Sequence, residues 1–160
     1  MVQDAAASIE PRDAVERVWR EQGAKLWRSL VAFTADPDIA TDAMAEAFAQ
    51  ALGRGGAVRD HDRWIWRASF RIAAGELKAR SRRSDALPER SYEMPEPAAD
   101  LIRALAILSR NQRAALALRD YADLPTKDVA RILGCSQATV RVHLAQARKR
   151  LRPLLEASDD

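Results

Sequence analysis

Apolar residues recur along most of this chain at helical spacing, and nowhere do they alternate with polar ones as in a strand. Over residues 12–34, Val15, Trp19, Gly23, Leu26, Leu30 and Phe33 return every three or four positions, the period of one helix face. Asp36 followed by Pro37 reads as a helix start, because an aspartate can accept from orphan N–H groups and proline fits the first helical position. The helix it opens runs to about Leu52, with Met44, Phe48 and Leu52 on its inner side, and Gly53, Gly55 and Gly56 end it. A third helix begins near Asp60 or Asp62 and runs to about Arg82, leaving His61 as a loop residue. Ile65, Trp66, Ser69, Phe70, Ile72, Ala73 and Leu77 fall on one side of it. Arg63, Arg67, Arg71, Lys78 and Arg82 fall on the other, with Trp64 and Gly75 in or beside the basic stripe.

The pattern then breaks. Residues 84–97 hold Pro88, Pro95 and Pro97 and show no period, the composition of an extended linker. Beyond it, 98–108 reads as a short apolar helix. Ser109 and Gln112 form a capping box that opens a helix to Tyr121, and 126–133 is the next helix. Gly134 suits a left-handed C-cap, and Ser136 caps a last helix running to about Leu151, where Pro153 discourages continuation. The expected fold class is therefore all-α, two small helical domains joined by a linker. The expected organisation is a flexible N-terminus over 1–11, a three-helix domain over 12–83, the linker over 84–97, and a helix-turn-helix domain over 98–160.

Charge sharpens this division. The whole chain is nearly balanced, with 26 Lys plus Arg against 23 Asp plus Glu. Its distribution is not. Residues 54–83 carry nine basic and three acidic side chains, 84–100 carry one basic and five acidic, and 136–153 carry five basic and none acidic. Two basic blocks around an acidic one fit two contacts with a polyanion, joined by a segment that avoids it. A single Cys and two His exclude a disulfide framework and a Cys- or His-rich metal site. No paired carboxylates, Ser-His-Asp set or phosphate loop stands out, so no catalytic residue, cofactor or metal is expected. Cys135 reads as a small buried turn residue. No transmembrane run or signal peptide is read, and a cytoplasmic location is expected.

Residues 126–150 have the layout of a helix-turn-helix: a short helix carrying Val129, Ala130 and Leu133, a tight turn Gly134-Cys135-Ser136, and a longer helix with Val140, Leu144, Ala147 and Leu151 inward. Its outward row is Gln137, Arg141, Ala145, Arg148 and Arg152. In this geometry the first residues of the second helix reach base edges in the major groove. Gln pairs with adenine, Arg with guanine, and small Ala138 and Thr139 permit close approach or meet a thymine methyl. His143 lies on the same helix as a phosphate or base contact, or as a plain exposed residue.

The stretch LSRNQRAALALRDYADLPTKDVARILGCSQATVRVHLAQARKRL resembles the C-terminal promoter-reading region of bacterial RNA polymerase sigma factors, most of all the short extracytoplasmic-function class. DPDIATDAMAEAFAQAL followed by RWIWRASFRIA resembles the N-terminal region of that class, and the two matches stand in the family's order. The resemblance implies a non-catalytic initiation subunit that binds core RNA polymerase and recognises −35 and −10 promoter elements. It implies that Asp38, Asp42 and Glu46 on the second helix dock on the clamp helices of the largest polymerase subunit. It implies that Arg63, Trp64, Arg67, Arg71 and Lys78 contact the −10 strand, and that Ser136, Gln137, Ala138, Thr139, Arg141, His143 and Arg148 contact the −35 element. An anti-sigma factor is a further candidate partner. The sequence departs from the family pattern at Arg71 (usually Asn), Gly75 (commonly Asp), Ala45 (commonly Gln) and Pro125 (usually a Ser cap). Two other readings stay open: a stand-alone helix-turn-helix regulator, and a polymerase-binding interaction protein without promoter recognition.

Overall fold

A computed structural model describes residues 9–83 and 103–157. The linker reading over 84–97 and the first residues of the 98–108 helix lie outside these, as do residues 1–8 of the N-terminal segment. The described residues contain helices and turns and no strand.

Helix α1 spans Pro11–Thr34. Proline at its start loses no bond, since the first N–H groups of a helix have no internal partner. Ala35, at φ 53°, ends it with its N–H on the Val31 carbonyl. Helix α2, Pro37–Arg54, starts where Asp36 and Pro37 place it: the Asp36 carboxylate accepts from the N–H groups of Asp38 (2.9 Å) and Ile39 (3.3 Å). Asp36 also pairs with Arg80, near the end of α3, so one side chain starts α2 and ties down the far end of α3. A 3₁₀ turn, Gly55–Ala57, leads to α3, His61–Arg83. Asp60 caps it by accepting from Arg63 N–H at 3.1 Å. His61 is therefore not a loop residue. It opens α3 and is buried, with Nε2 lacking a hydrogen-bond partner among the described residues.

The first three helices enclose Val18, Leu26 and Leu30 of α1, Ala40, Ala43, Met44 and Ala47 of α2, and Ile65, Trp66, Phe70 and Ala73 of α3. The alanines bring α2 close to its neighbours. At Gly23 a Cβ would stand 3.3 Å from the Met44 methyl, so any larger residue there would have to push the end of that side chain aside. Phe33 and Phe70 stack at 5.3 Å. Trp66 Nε1 donates to Gln22 Oε1 (2.7 Å), Gln22 Nε2 donates to Asp62 (2.6 Å), and Arg17 donates to the same carboxylate (3.1 Å). This chain of bonds fixes the start of α3 against α1. The Asp62 hydrogen bond and charge hold the Arg17 guanidinium above its ordinary pKa.

Two residues that periodicity places inward are outside. Trp19 is 54% exposed and Leu52 53% exposed. The core of α1 is met one position earlier, by Val18, and Trp19 lies edge-on against Phe48 at 5.0 Å and 84°. Phe48 and Trp66 are buried as expected.

In the C-terminal part, the capping box is present in full: Ser109 Oγ accepts from Gln112 N–H, and Gln112 Oε1 accepts from Ser109 N–H. It opens α4, Arg110–Leu116, which continues as a π-helical turn over Ala117–Tyr121. Burial and neighbouring Arg110 lower the Arg113 pKa. Helices α5, Thr126–Leu133, and α6, Gln137–Glu156, follow. Pro153 does not end α6. It removes only its own N–H, in an exposed last turn where water can serve the freed carbonyl, and Ala157 N–H still reaches the Pro153 carbonyl at 3.2 Å.

The two parts touch. Helix α1 packs on α4 and the π-helical turn, and α3 packs on α5. Leu26 and Ile65 belong to the same buried cluster as Leu118, Val129 and Val140.

Candidate nucleic-acid and polymerase interface

Helices α5 and α6 form the helix-turn-helix. Gly134, at φ 69°, makes the left-handed cap that lets the chain reverse, and Cys135 N–H bonds the Ala130 carbonyl at 3.0 Å. Cys135 itself is only half-buried. Ser136 Oγ accepts from Thr139 N–H at 3.1 Å and lies 2.8 Å from the Thr139 hydroxyl, so these two hydroxyls serve the turn before they serve any ligand. Val140, Leu144 and Ala147 are buried against the rest of the domain. Gln137, Ala138, Thr139 and Arg141 face out at the start of α6, and Arg141 has no ion-pair partner among the described residues. His143 is half-buried, with Nδ1 shielded and unpartnered.

Arg148, farther along α6, is not free. It donates to both oxygens of Asp120, at 2.7 and 3.3 Å. Arg150 donates to the Ile107 carbonyl at 3.2 Å, and Gln146 accepts from Gln112 at 2.9 Å. These bonds hold the rear of α6 on α4 and on the residues just before and after it.

The basic stripe of α3 is also outward. Arg67, Arg71 and Lys78 are exposed. Arg63 is drawn toward Asp60 (3.4 Å) on its own turn and Asp128 (3.7 Å) on α5. Trp64 is half-buried beneath the Arg54 guanidinium, 5.5 Å from the ring centroid, so it packs across the end of α2 while lining a cleft with Arg63, Arg67 and Trp66. Gly75 is exposed, and a Cβ there would meet nothing within 4 Å.

On α2, Asp42 and Glu46 are exposed and Asp38 is half-buried. Glu46 accepts from Gln50 at 2.8 Å. Two apolar side chains are also exposed near α2: Trp19, edge-on to Phe48, and Leu52 on α2 itself, although their spacing predicts a core position. A single wheel of α1 gives no warning of it, because Val18 and Trp19 are both apolar neighbours.

An all-helical chain with a helix-turn-helix, a second basic helix and an acidic outer ridge has the parts of a promoter-specificity subunit. Residues 98–151 match the family model described as sigma-70, region 4. The chain is 30% identical over 159 residues to the RNA polymerase sigma-H factor of Pseudomonas aeruginosa, covering 82% of each chain. It is 30% identical over 161 residues to the ECF RNA polymerase sigma factor SigM of Mycobacterium tuberculosis, covering 94% of this chain and 82% of the other. The sigma factor RpoE of Bartonella quintana, solved with the anti-sigma factor NepR, superposes with a TM-score of 0.70 at 22% identity, over 88% of this chain and 98% of that one. CnrH, solved with the cytosolic domain of CnrY, gives 0.68 at 20% identity, over 91% and 89%. The chain belongs to the extracytoplasmic-function class of RNA polymerase sigma factors. It binds core RNA polymerase and promoter DNA and directs promoter-specific transcription initiation, and its family is non-enzymatic. No helix among the described residues is long and apolar enough to cross a membrane.

Proposed function

We propose that the start of α6 reads the −35 element, that the α3 stripe holds the −10 strand, and that the α2 ridge docks on the clamp helices of the largest polymerase subunit. Gln137 and Arg141 contact base edges, with Ala138 and Thr139 allowing close approach. Arg67, Arg71 and Lys78 hold the strand backbone, and Trp64 offers a stacking face once Arg54 swings aside. Asp42 and Glu46 supply the charge for docking, and Trp19 and Leu52 supply apolar area. The units 12–83 and 98–160 act as separate modules joined through 84–97, and limited proteolysis within that segment checks the division. The chain has no catalytic role of its own, works in the cytoplasm with the polymerase, and is held in check by an anti-sigma factor, a reading supported by the structural neighbour RpoE, which is solved with the anti-sigma factor NepR.

The observation that carries this reading is the contrast along α6: among the described residues Arg141 has no ion-pair partner one turn into the helix, whereas Arg148 is tied to Asp120. The test is a −35 variant library read with the polymerase complex. Arg141→Ala is expected to relax preference at one base position, at a cost of about 1–3 kcal/mol. A uniform loss across the library would make Arg141 a phosphate contact and move base reading to other residues.

A further inference from the structure

A cleft of about 680 Å³ opens between α1 and the C-terminal helices. Its walls are largely apolar. Trp27 and Val31 come from α1, Leu116 from α4, Tyr121 from the π-helical turn and Leu151 from α6. Protein interiors have few voids larger than a water molecule, so a concavity of this size lies far outside ordinary packing. It falls within the range of pockets that take one small molecule, and an apolar wall with a few convergent polar groups is their usual make-up.

The charged groups of this cleft are mostly of one sign. Arg28, Arg113, Arg148 and Arg152 line it, and among the described residues Asp120 is the one acidic side chain that does. Asp120 is already engaged, since Arg148 donates to both of its oxygens. Arg28, Arg113 and Arg152 have no ion-pair partner among the described residues. The cleft therefore combines an apolar body with uncompensated positive charge.

Arg113 decides what kind of ligand suits it. The residue is half-buried on α4, and its Nε is shielded from water with no hydrogen-bond partner among the described residues. Burial is the first cause of its lowered pKa, and the like charge of Arg110 is the second. A guanidinium stays charged at physiological pH, so one that is half-buried without an anion carries a desolvation cost that nothing offsets. A neutral apolar molecule would cover the walls and leave that cost in place. A nucleic-acid strand would bring anions and no aliphatic body for Leu116 and Leu151. A carboxylate on an apolar chain answers both, because its two oxygens match the guanidinium fork.

We propose that this cleft is a binding site for a single-chain acyl carboxylate, its head group on Arg113 and its chain along Trp27, Leu116 and Leu151. Arg113 fixes the head and selects an anion; the apolar walls supply most of the contact area. The ligand touches α1 and α6 together, so its binding energy adds to the stability of the folded chain.

The experiment titrates the full chain with dodecanoate brominated near its tail, below the concentration at which it forms micelles. Bromine quenches tryptophan fluorescence at contact. Trp27 is the tryptophan of this cleft, held by its Nε1–H bond to Thr41 at 3.0 Å, whereas Trp64 and Trp66 line another. Quenching is expected to saturate at one equivalent and to vanish in Trp27→Phe. Plain dodecanoate is expected to raise the thermal midpoint of both proteins by a few degrees. Arg113→Met is expected to weaken binding about tenfold or more with helicity unchanged. Ala32→Phe, which places a ring in the cleft, is expected to abolish the quenching. Quenching that persists in Trp27→Phe would place the ligand elsewhere and overturn the proposal. Equal binding of neutral brominated dodecanol, or unaltered affinity in Arg113→Met, would overturn it by showing a cleft that selects no anion. No quenching in the wild-type protein would overturn it too, and would leave the cleft to a protein partner.

Discussion

Asp120, in the π-helical turn after α4, receives two hydrogen bonds from Arg148 on α6, so the most regular arginine of the recognition helix's outer row is engaged within the protein. Sequence spacing alone would count Arg148 among the free cations facing DNA. The pair is solvent-accessible on both sides, which limits its worth to about 0.5–1 kcal/mol.

The pairing changes what replacing Arg148 does. Arg152→Ala is expected to lower the salt slope of promoter binding by about one unit, the signature of one lost phosphate contact. Arg148→Ala is expected to lower it by less, because Asp120 already offsets its charge, and Asp120→Asn is expected to raise the slope. Binding titrated against salt in the polymerase complex checks all three. Equal slopes for the two arginine variants would mean that Arg148 leaves Asp120 when DNA arrives.

Docking should depend on charge and apolar area together. Asp42→Lys with Glu46→Lys is expected to weaken core-polymerase binding by turning attraction into repulsion, with helicity unchanged. Trp19→Ala is expected to weaken the same interaction. It should cost the fold no more than about 0.5–1.5 kcal/mol, since Trp19 is half in water and contributes mainly its edge contact with Phe48. Pull-down beside thermal melting separates the two effects. Unchanged polymerase retention by the charge-reversed protein would remove the α2 ridge from the interface.

At the turn of the helix-turn-helix, Gly134→Ala is expected to destabilise the C-terminal part by about 1 kcal/mol or somewhat more. No neighbour would clash with the added methyl, but its φ of 69° disfavours any Cβ. A denaturant titration measures the loss. An unchanged midpoint would mean that the turn relaxes to another backbone shape.

Much of the architecture is legible in residue order. Asp36-Pro37, the Ser109/Gln112 box, Gly134 and Ser136 are local signals, and each sets a helix boundary through bonds to its immediate neighbours. What periodicity misses is decided by the arrangement of helices. Trp19 and Leu52 carry the right spacing for a core, yet the small residues of α2 let the helices close on Val18 and leave both outside. His61 carries no start signal of its own; Asp60 caps one residue earlier, so His61 opens α3, and its side chain is buried there. The outward rows of α3 and α6 could be read from the sequence. The partners of Arg63 and Arg148 could not, because Asp128 and Asp120 are 65 and 28 residues away along the chain and are brought near only by packing.

Promoter-selective initiation is the activity that all of these surfaces serve. Purified protein, core RNA polymerase and a library of randomised promoters are combined, and the 5′ ends of the transcripts are mapped. The expected result is a set of transcripts that require the protein and share two sequence elements upstream, with preference at the −35 element relaxed by Arg141→Ala. Transcripts that share no upstream elements, or polymerase binding without any selective transcript, would contradict it.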